Sequence, residues 1–188
     1  LLTLGKATRS WIPCAYVQFL RIRGSRFGDP VTDEQEIDGT LDLVLRRLDD
    51  KIRATLAVSV DFTSGAATEI RAIAYPLTAL QQLVRNAIMH RTYEGSNAPV
   101  RVYWFDDRIE ITNPGGPYGI VTAENFGRPG ISDYRNPSVA TVLKTMGFVQ
   151  RFGFGIAEAR RSLAANGNPP PEFQIEPTIV LATVRRAS

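Results

Sequence analysis

The chain has 188 residues, 44% of them apolar and 22% charged, with a formal net charge of +3. That balance suits a globular domain and gives no ground for an extended nucleic-acid-binding surface. A single cysteine, Cys14, and a single histidine, His90, exclude an intramolecular disulfide and argue against a zinc centre. No apolar run approaches the roughly 18 residues of a membrane helix. The start, Leu1-Leu2-Thr3-Leu4-Gly5-Lys6, lacks the basic head and apolar stretch of a secretory signal. These features fit a cytoplasmic protein with no membrane partner. The chain opens without Met, so it is expected to be part of a longer protein.

In chain order, residues 16–23 mix β-branched and aromatic with polar residues and predict a strand. Residues 24–38 are polar and rich in turn formers, including Gly28-Asp29-Pro30, and are read as irregular. Leu41, Val44, Leu45, Leu48 and Ile52 recur at helical spacing and predict a helix over about 39–57. Alternation at Val58, Val60 and Phe62, a Ser64-Gly65 turn, and alternation again over 69–73 suggest a hairpin. Pro76 suits the first turn of a helix that should run to about His90. Residues 100–105 and 108–112 alternate around Asp106-Asp107 as a second hairpin. Asn113-Pro114-Gly115-Gly116-Pro117 is expected to leave the sheet, since proline cannot donate to a ladder. Asn136-Pro137 predicts an N-cap and first helical position, with a helix to about Met146. Gly153-Phe154-Gly155 precedes a helical run, Ile156 to Ala165, and residues 173–175 and 179–184 close the chain as two strands.

The helix ending at His90 carries an unusual stripe. At about 100° per residue, with Gln82 at 0°, Asn86 falls near ~40° and His90 near ~80°, while Leu80, Leu83, Val84, Ala87 and Ile88 fill the opposite face. An exposed face normally carries Glu and Lys, and Asn is a poor residue for a helix interior because its amide competes for the backbone. Such an amide oxygen can serve a hydrated Mg²⁺, which takes hard oxygen ligands. A plain amphipathic helix with its polar side in water explains the same spacing.

Two glycine segments come after it. Gly115-Gly116 sits after a strand, and Gly153-x-Gly155 sits where a helix begins. Glycine lets backbone approach a ligand closely, and a helix start offers free N–H groups to phosphate. Simple turns account for each segment taken singly. Neither the Walker Gly-Lys-Ser/Thr pattern nor the dinucleotide Gly-x-Gly-x-x-Gly fingerprint is present.

In order, Tyr75-Pro76, Asn86-Ala87-x-x-His90-Arg91-x-Tyr93, Ile109-Glu110-Ile111-x-Asn113-Pro114-Gly115, Arg135-Asn136-Pro137 and Gly153-x-Gly155-Ile156 resemble the C-terminal GHKL-type ATPase module of bacterial Schlafen-like transcriptional regulators. Some members of that family carry an older helicase-related label. The resemblance covers about residues 75–184. It implies a Bergerat-type α/β (α+β) sandwich, a mixed sheet with helices on one face, over residues 74–188. Residues 1–73 would connect it to an AlbA-type, Schlafen-like DNA-binding domain that is mostly absent from this chain. It further implies ATP and Mg²⁺ as cofactors, with Asn86 on the metal and Asn113 in the place of the Asp that reads the adenine amino group. Gly115 and Gly116 would form the first glycine box, and Gly153, Phe154, Gly155 and Ile156 would wrap the phosphates. His90 would face nucleotide or orient Asn86, or else cap the C-terminal end of its helix, and residues 118–133 would form a lid.

Two positions depart from the family pattern. The catalytic Glu is Gln82, and a neutral amide cannot take up a proton. The adenine-reading Asp is Asn113, a weaker acceptor than a carboxylate. The expectation is a nucleotide-binding module of a DNA-binding regulator with weak or no hydrolysis. The alternatives are an active ATPase using a substitute base, and a degenerate module that serves as a dimerisation surface without nucleotide. A homodimer is compatible with all three.

Overall fold

The computed structural model describes residues 1–58, 73–149 and 153–187. The elements are α1 (Thr8–Trp11), β1 (Tyr16–Ile22), β2 (Val31–Asp38), α2 (Leu41–Val58), α3 (Leu77–His90), β3 (Val100–Trp104), β4 (Arg108–Pro114), α4 (Pro137–Thr145), α5 (Gly155–Ala165), β5 (Glu172–Ile175) and β6 (Ile179–Arg185). The strands form one mixed sheet in the order β2-β1-β3-β4-β6-β5. Only β1 and β3 run parallel, and every other neighbouring pair is antiparallel. The expected α+β sandwich is present.

Alternation along the strands decides which face carries the helices. Val17 and Phe19 of β1, Val102 and Trp104 of β3, Ile109 and Ile111 of β4, and Ala182 and Val184 of β6 all point to one side. Leu41, Leu45, Leu48 and Ile52 of α2 and Leu80, Leu83, Val84 and Ala87 of α3 complete that core. Each fully buried Leu, Ile or Val contributes roughly 1.5–3 kcal/mol. Trp104 anchors the centre, with Tyr75 edge-on at 5.6 Å and Phe19 tilted at 6.3 Å. Tyr93 packs against the same cluster.

Three local expectations change. Residues 31–38, read as part of a polar loop, form β2, paired with β1 from Tyr16↔Asp38 to Ile22↔Val31. Most of β2 is exposed, because it is an edge strand, and its acidic side chains gave no apolar alternation to detect. Asn113 and Pro114 do not leave the sheet, since they pair with Val180 and Ile179. Pro114 closes β4, where a missing N–H costs little, and its carbonyl accepts from Thr92 N at 2.7 Å. Asn136 precedes α4, but its side chain does not cap that helix. Its Nδ2 donates instead to Met89 O (3.0 Å) and Arg91 O (2.6 Å), closing the C-terminal end of α3. The hairpin expected over 58–73 lies almost wholly outside the described residues.

Arg91 anchors the chain as it leaves α3. It is 1% exposed and donates to Cys14 O, Thr92 O and Ala98 O at 2.5, 3.0 and 2.8 Å. Three carbonyls satisfy a charge that would otherwise be costly to bury.

Candidate functional site

A cleft enclosing about 890 Å³, its open mouth included, lies between α3, the ends of β4 and β6, the start of α5 and the segment 116–134. Of the residues singled out from sequence, Gln82, Asn86, His90, Asn113, Gly116, Gly153, Gly155 and Ile156 line it. Gly115 lies just behind the lining, where its φ of +101° and the Thr92 N, 2.9 Å from where a Cβ would stand, admit only glycine. Phe154 is 47% exposed and is not among the lining residues.

The cleft runs along α3. At its first end, Gln82 Oε1 lies 3.2 Å from the place of a Gly155 Cβ, and Ser132 Oγ lies 3.3 Å from that of Gly153. The segment 118–133 reaches the same end, with Arg160 donating to Gly127 O at 3.0 Å and Ile156 packed against Gly127. Here an 11-residue helix, α5, begins, with Gly155 and Ile156 of its first turn in the lining and its first N–H groups without helical partners. Glu158 in its first turn pairs with Arg161, which offsets its charge. At the second end stand Met89, His90, Asn113, Gly116 and Tyr134. Seven residues of helix separate Gln82 from Met89, or roughly 10 Å.

The polar stripe of α3 is half-buried in this cleft and does not form a free solvent face. Asn113 is 5% exposed, and its Nδ2 donates to Gly115 O at 3.3 Å. His90 stacks on Tyr134 at 5.3 Å, and the end of α3 is capped by Asn136 and not by the imidazole. Burial, with a smaller push from the Arg135 guanidinium, lowers the His90 pKa to about 4, so the imidazole is neutral at pH 7. Arg135 donates to Gly116 O at 3.3 Å and stands 4.8 Å over the Tyr118 ring. Its Nε is buried with no hydrogen-bond partner.

The segment 118–133 covers the cleft in a fixed form. Asp133 Oδ2 accepts from Ile120 N, and Asn125 accepts from Thr122 N and donates to Ile120 O. Gly119, with φ +60°, leaves the space that the Asp133 carboxylate fills. Phe126 docks on Phe173 at 5.2 Å. In the sequence this segment stands out only as a lid between motifs, with no residue of its own marked. Arg128, Ser132 and Asp133 were therefore missed, although a paired Asn125 and Asp133 around two glycines signals an ordered loop.

Among the described lining residues, Asp133 is the one carboxylate, and Arg85 and Arg128 are the cations. Arg85 is engaged by Asp49 at 2.8 Å and by Phe148 O. No cluster of three or more His, Cys, Asp or Glu capable of holding a metal occurs among the described residues. Asp133 apart, a Mg²⁺ ion would find neutral amide oxygens here. Such a donor set fits an ion that keeps its waters and is held chiefly by a ligand's phosphates.

Residues 97–184 match the family described as "Putative ATP-dependent DNA helicase recG C-terminal". The match spans β3 to β6, both glycine segments and the lid, and stops short of α3. No curated protein matches the chain. Among solved structures, the DIP2311 protein of Corynebacterium diphtheriae is similar with a TM-score of 0.74 and 19% identity, over 93% of this chain and 34% of that one. At that identity the likeness speaks for the fold alone, and this chain spans about a third of the length of that protein. The family match likens this part of the chain, fewer than half of its residues, to an ATPase-like module of helicase-related type. No helix among the described residues is long and apolar enough to cross a membrane.

Proposed function

We propose that this chain is a GHKL-like ATP- and Mg²⁺-binding module of a DNA-binding transcriptional regulator, and that it holds nucleotide with little or no hydrolysis. The observation that carries this reading is the joining of distant segments in one cleft. A buried amide stands at one end and two glycines at a helix start stand at the other, with Asn86 on the helix between them. The phosphates would take the α5 end, near Gly153, Gly155 and Arg128, and the base would take the Asn113 end. Asn86 Oδ1 would be the protein's oxygen ligand to Mg²⁺. The ion would supply charge neutralisation across the phosphates.

Slow hydrolysis is expected from the side chains that face the phosphate end. Gln82 is an amide and cannot act as a general base. Asp133 already accepts backbone N–H groups from Ile120 and Tyr134, so serving as base would release the lid. The lid is the natural element to carry a nucleotide signal to an AlbA-type, Schlafen-like DNA-binding domain elsewhere in the protein, or to a second copy of the module in a homodimer. Calorimetry with ATP, with and without Mg²⁺, tests the binding, and a single-turnover assay tests the chemistry. Mg²⁺-dependent binding with negligible turnover is expected. Turnover that is lost in Asn86→Ala would instead make the chain an active ATPase. An absence of both heat and thermal shift would leave an interaction module.

A further inference from the structure

Asn113 is the only buried polar side chain among the described residues that line the cleft. It sits at the end away from Gly153 and Gly155, next to Val180 of β6, and Met89 of α3 lines the same cleft, so apolar groups are at hand for a flat ring. We propose that Asn113 makes this a general purine-nucleotide site, one that accepts guanine and hypoxanthine nearly as well as adenine. The proposal rests on the nucleotide reading above.

The order of donors and acceptors decides which base fits. A carboxylate offers acceptors only, whereas an amide offers an acceptor oxygen and an N–H donor side by side. Adenine presents an amino donor next to a ring-nitrogen acceptor. Guanine and hypoxanthine present a carbonyl acceptor next to a ring N–H donor, which is the reverse order. An amide pairs with either edge by exchanging its two ends through a half-turn of the side chain. A carboxylate meets one donor and one acceptor on either edge, so it makes only one of the two bonds. The half-turn sacrifices one long bond, Asn113 Nδ2 to Gly115 O at 3.3 Å. A neutral hydrogen bond corresponds to roughly a two- to twelvefold factor in an equilibrium. A site that leaves a buried polar group unpaired against the wrong ligand discriminates by ~10⁴–10⁵.

The test measures dissociation constants for the Mg²⁺ complexes of ATP, GTP and ITP by calorimetry on the intact chain. In the wild type the three should agree within about tenfold. Asn113→Ala, which needs no buried charge, should weaken all three alike. A wild type that prefers ATP over GTP and ITP by more than about 100-fold overturns the proposal but keeps the nucleotide site. Affinities unmoved by Asn113→Ala also overturn it. Failure to bind any of the three overturns the nucleotide reading itself, and this proposal with it.

Discussion

The chain has one histidine, which turns its titration into a clean probe of the cleft. In the folded chain the His90 imidazole is held near a pKa of about 4, first by burial against α3 and Tyr134 and second by the Arg135 guanidinium. In the unfolded chain the ordinary value of 6.5 applies. Between those two pH values the unfolded chain binds a proton that the folded chain refuses, so stability rises with pH. The contribution is complete above pH 6.5 and is lost as pH falls towards 4. The difference of about 2.5 in pKa, at about 1.4 kcal/mol for each, gives at most about 3.5 kcal/mol, reduced to the extent that the ring keeps an edge in solvent. Proton NMR of the imidazole should show a midpoint near pH 4. His90→Phe keeps a ring against Tyr134 and cannot titrate. Its urea midpoint should therefore fall less than that of the wild type between about pH 7 and about pH 4. Arg135→Gln should raise the NMR midpoint, by less than burial lowers it. A midpoint close to 6.5, or parallel pH curves for wild type and His90→Phe, would refute the burial of His90 in the cleft wall.

Three further substitutions address the cleft. Gly116→Ala places a Cβ 2.4 Å from both Glu176 O and Pro177 O; the overlap is with backbone and should cost about 1–3 kcal/mol, seen as a Tm lower by several degrees. An unchanged Tm would mean that β4 and the β5–β6 turn are not so closely packed. Asn136→Ala strips Met89 O and Arg91 O of their donor and should destabilise by roughly 1–3 kcal/mol in chemical denaturation; a neutral result would remove Asn136 as the cap of α3. Gln82→Glu restores a proton acceptor facing the start of α5 and should raise single-turnover ATP hydrolysis by about 10²-fold or more. An unchanged rate with ATP still bound would count against Gln82 as the position of the base.

How much of the molecule is legible in its sequence depends on the strength of each local signal. The apolar periodicities of α2 and α3 and the alternation in β3 and β4 mark their own elements, because burial on one face enforces them. β2 stayed hidden because an exposed edge strand of acidic residues has no face to bury. Asn136 looked like a local cap because sequence shows only its neighbours, while its actual partners lie 45 and 47 residues away. The stripe of Gln82, Asn86 and His90 was visible as a departure from ordinary surface composition. Its placement inside a cleft, opposite Gly155 and Tyr134, depended on α5 and the lid folding over it. Such long-range closure leaves little trace in local spacing, which is also why Arg128, Ser132 and Asp133 were not singled out.

Everything proposed for the cleft depends on Mg²⁺-nucleotide occupying the space along α3. A crystal structure with a non-hydrolysable ATP analogue and Mg²⁺ is the decisive measurement. The expected result is the base against Asn113, the phosphates at Gly153 and Gly155, and the metal on Asn86 Oδ1 beneath an ordered lid. A lid collapsed onto an empty cleft at saturating analogue, or the analogue bound elsewhere, would contradict it.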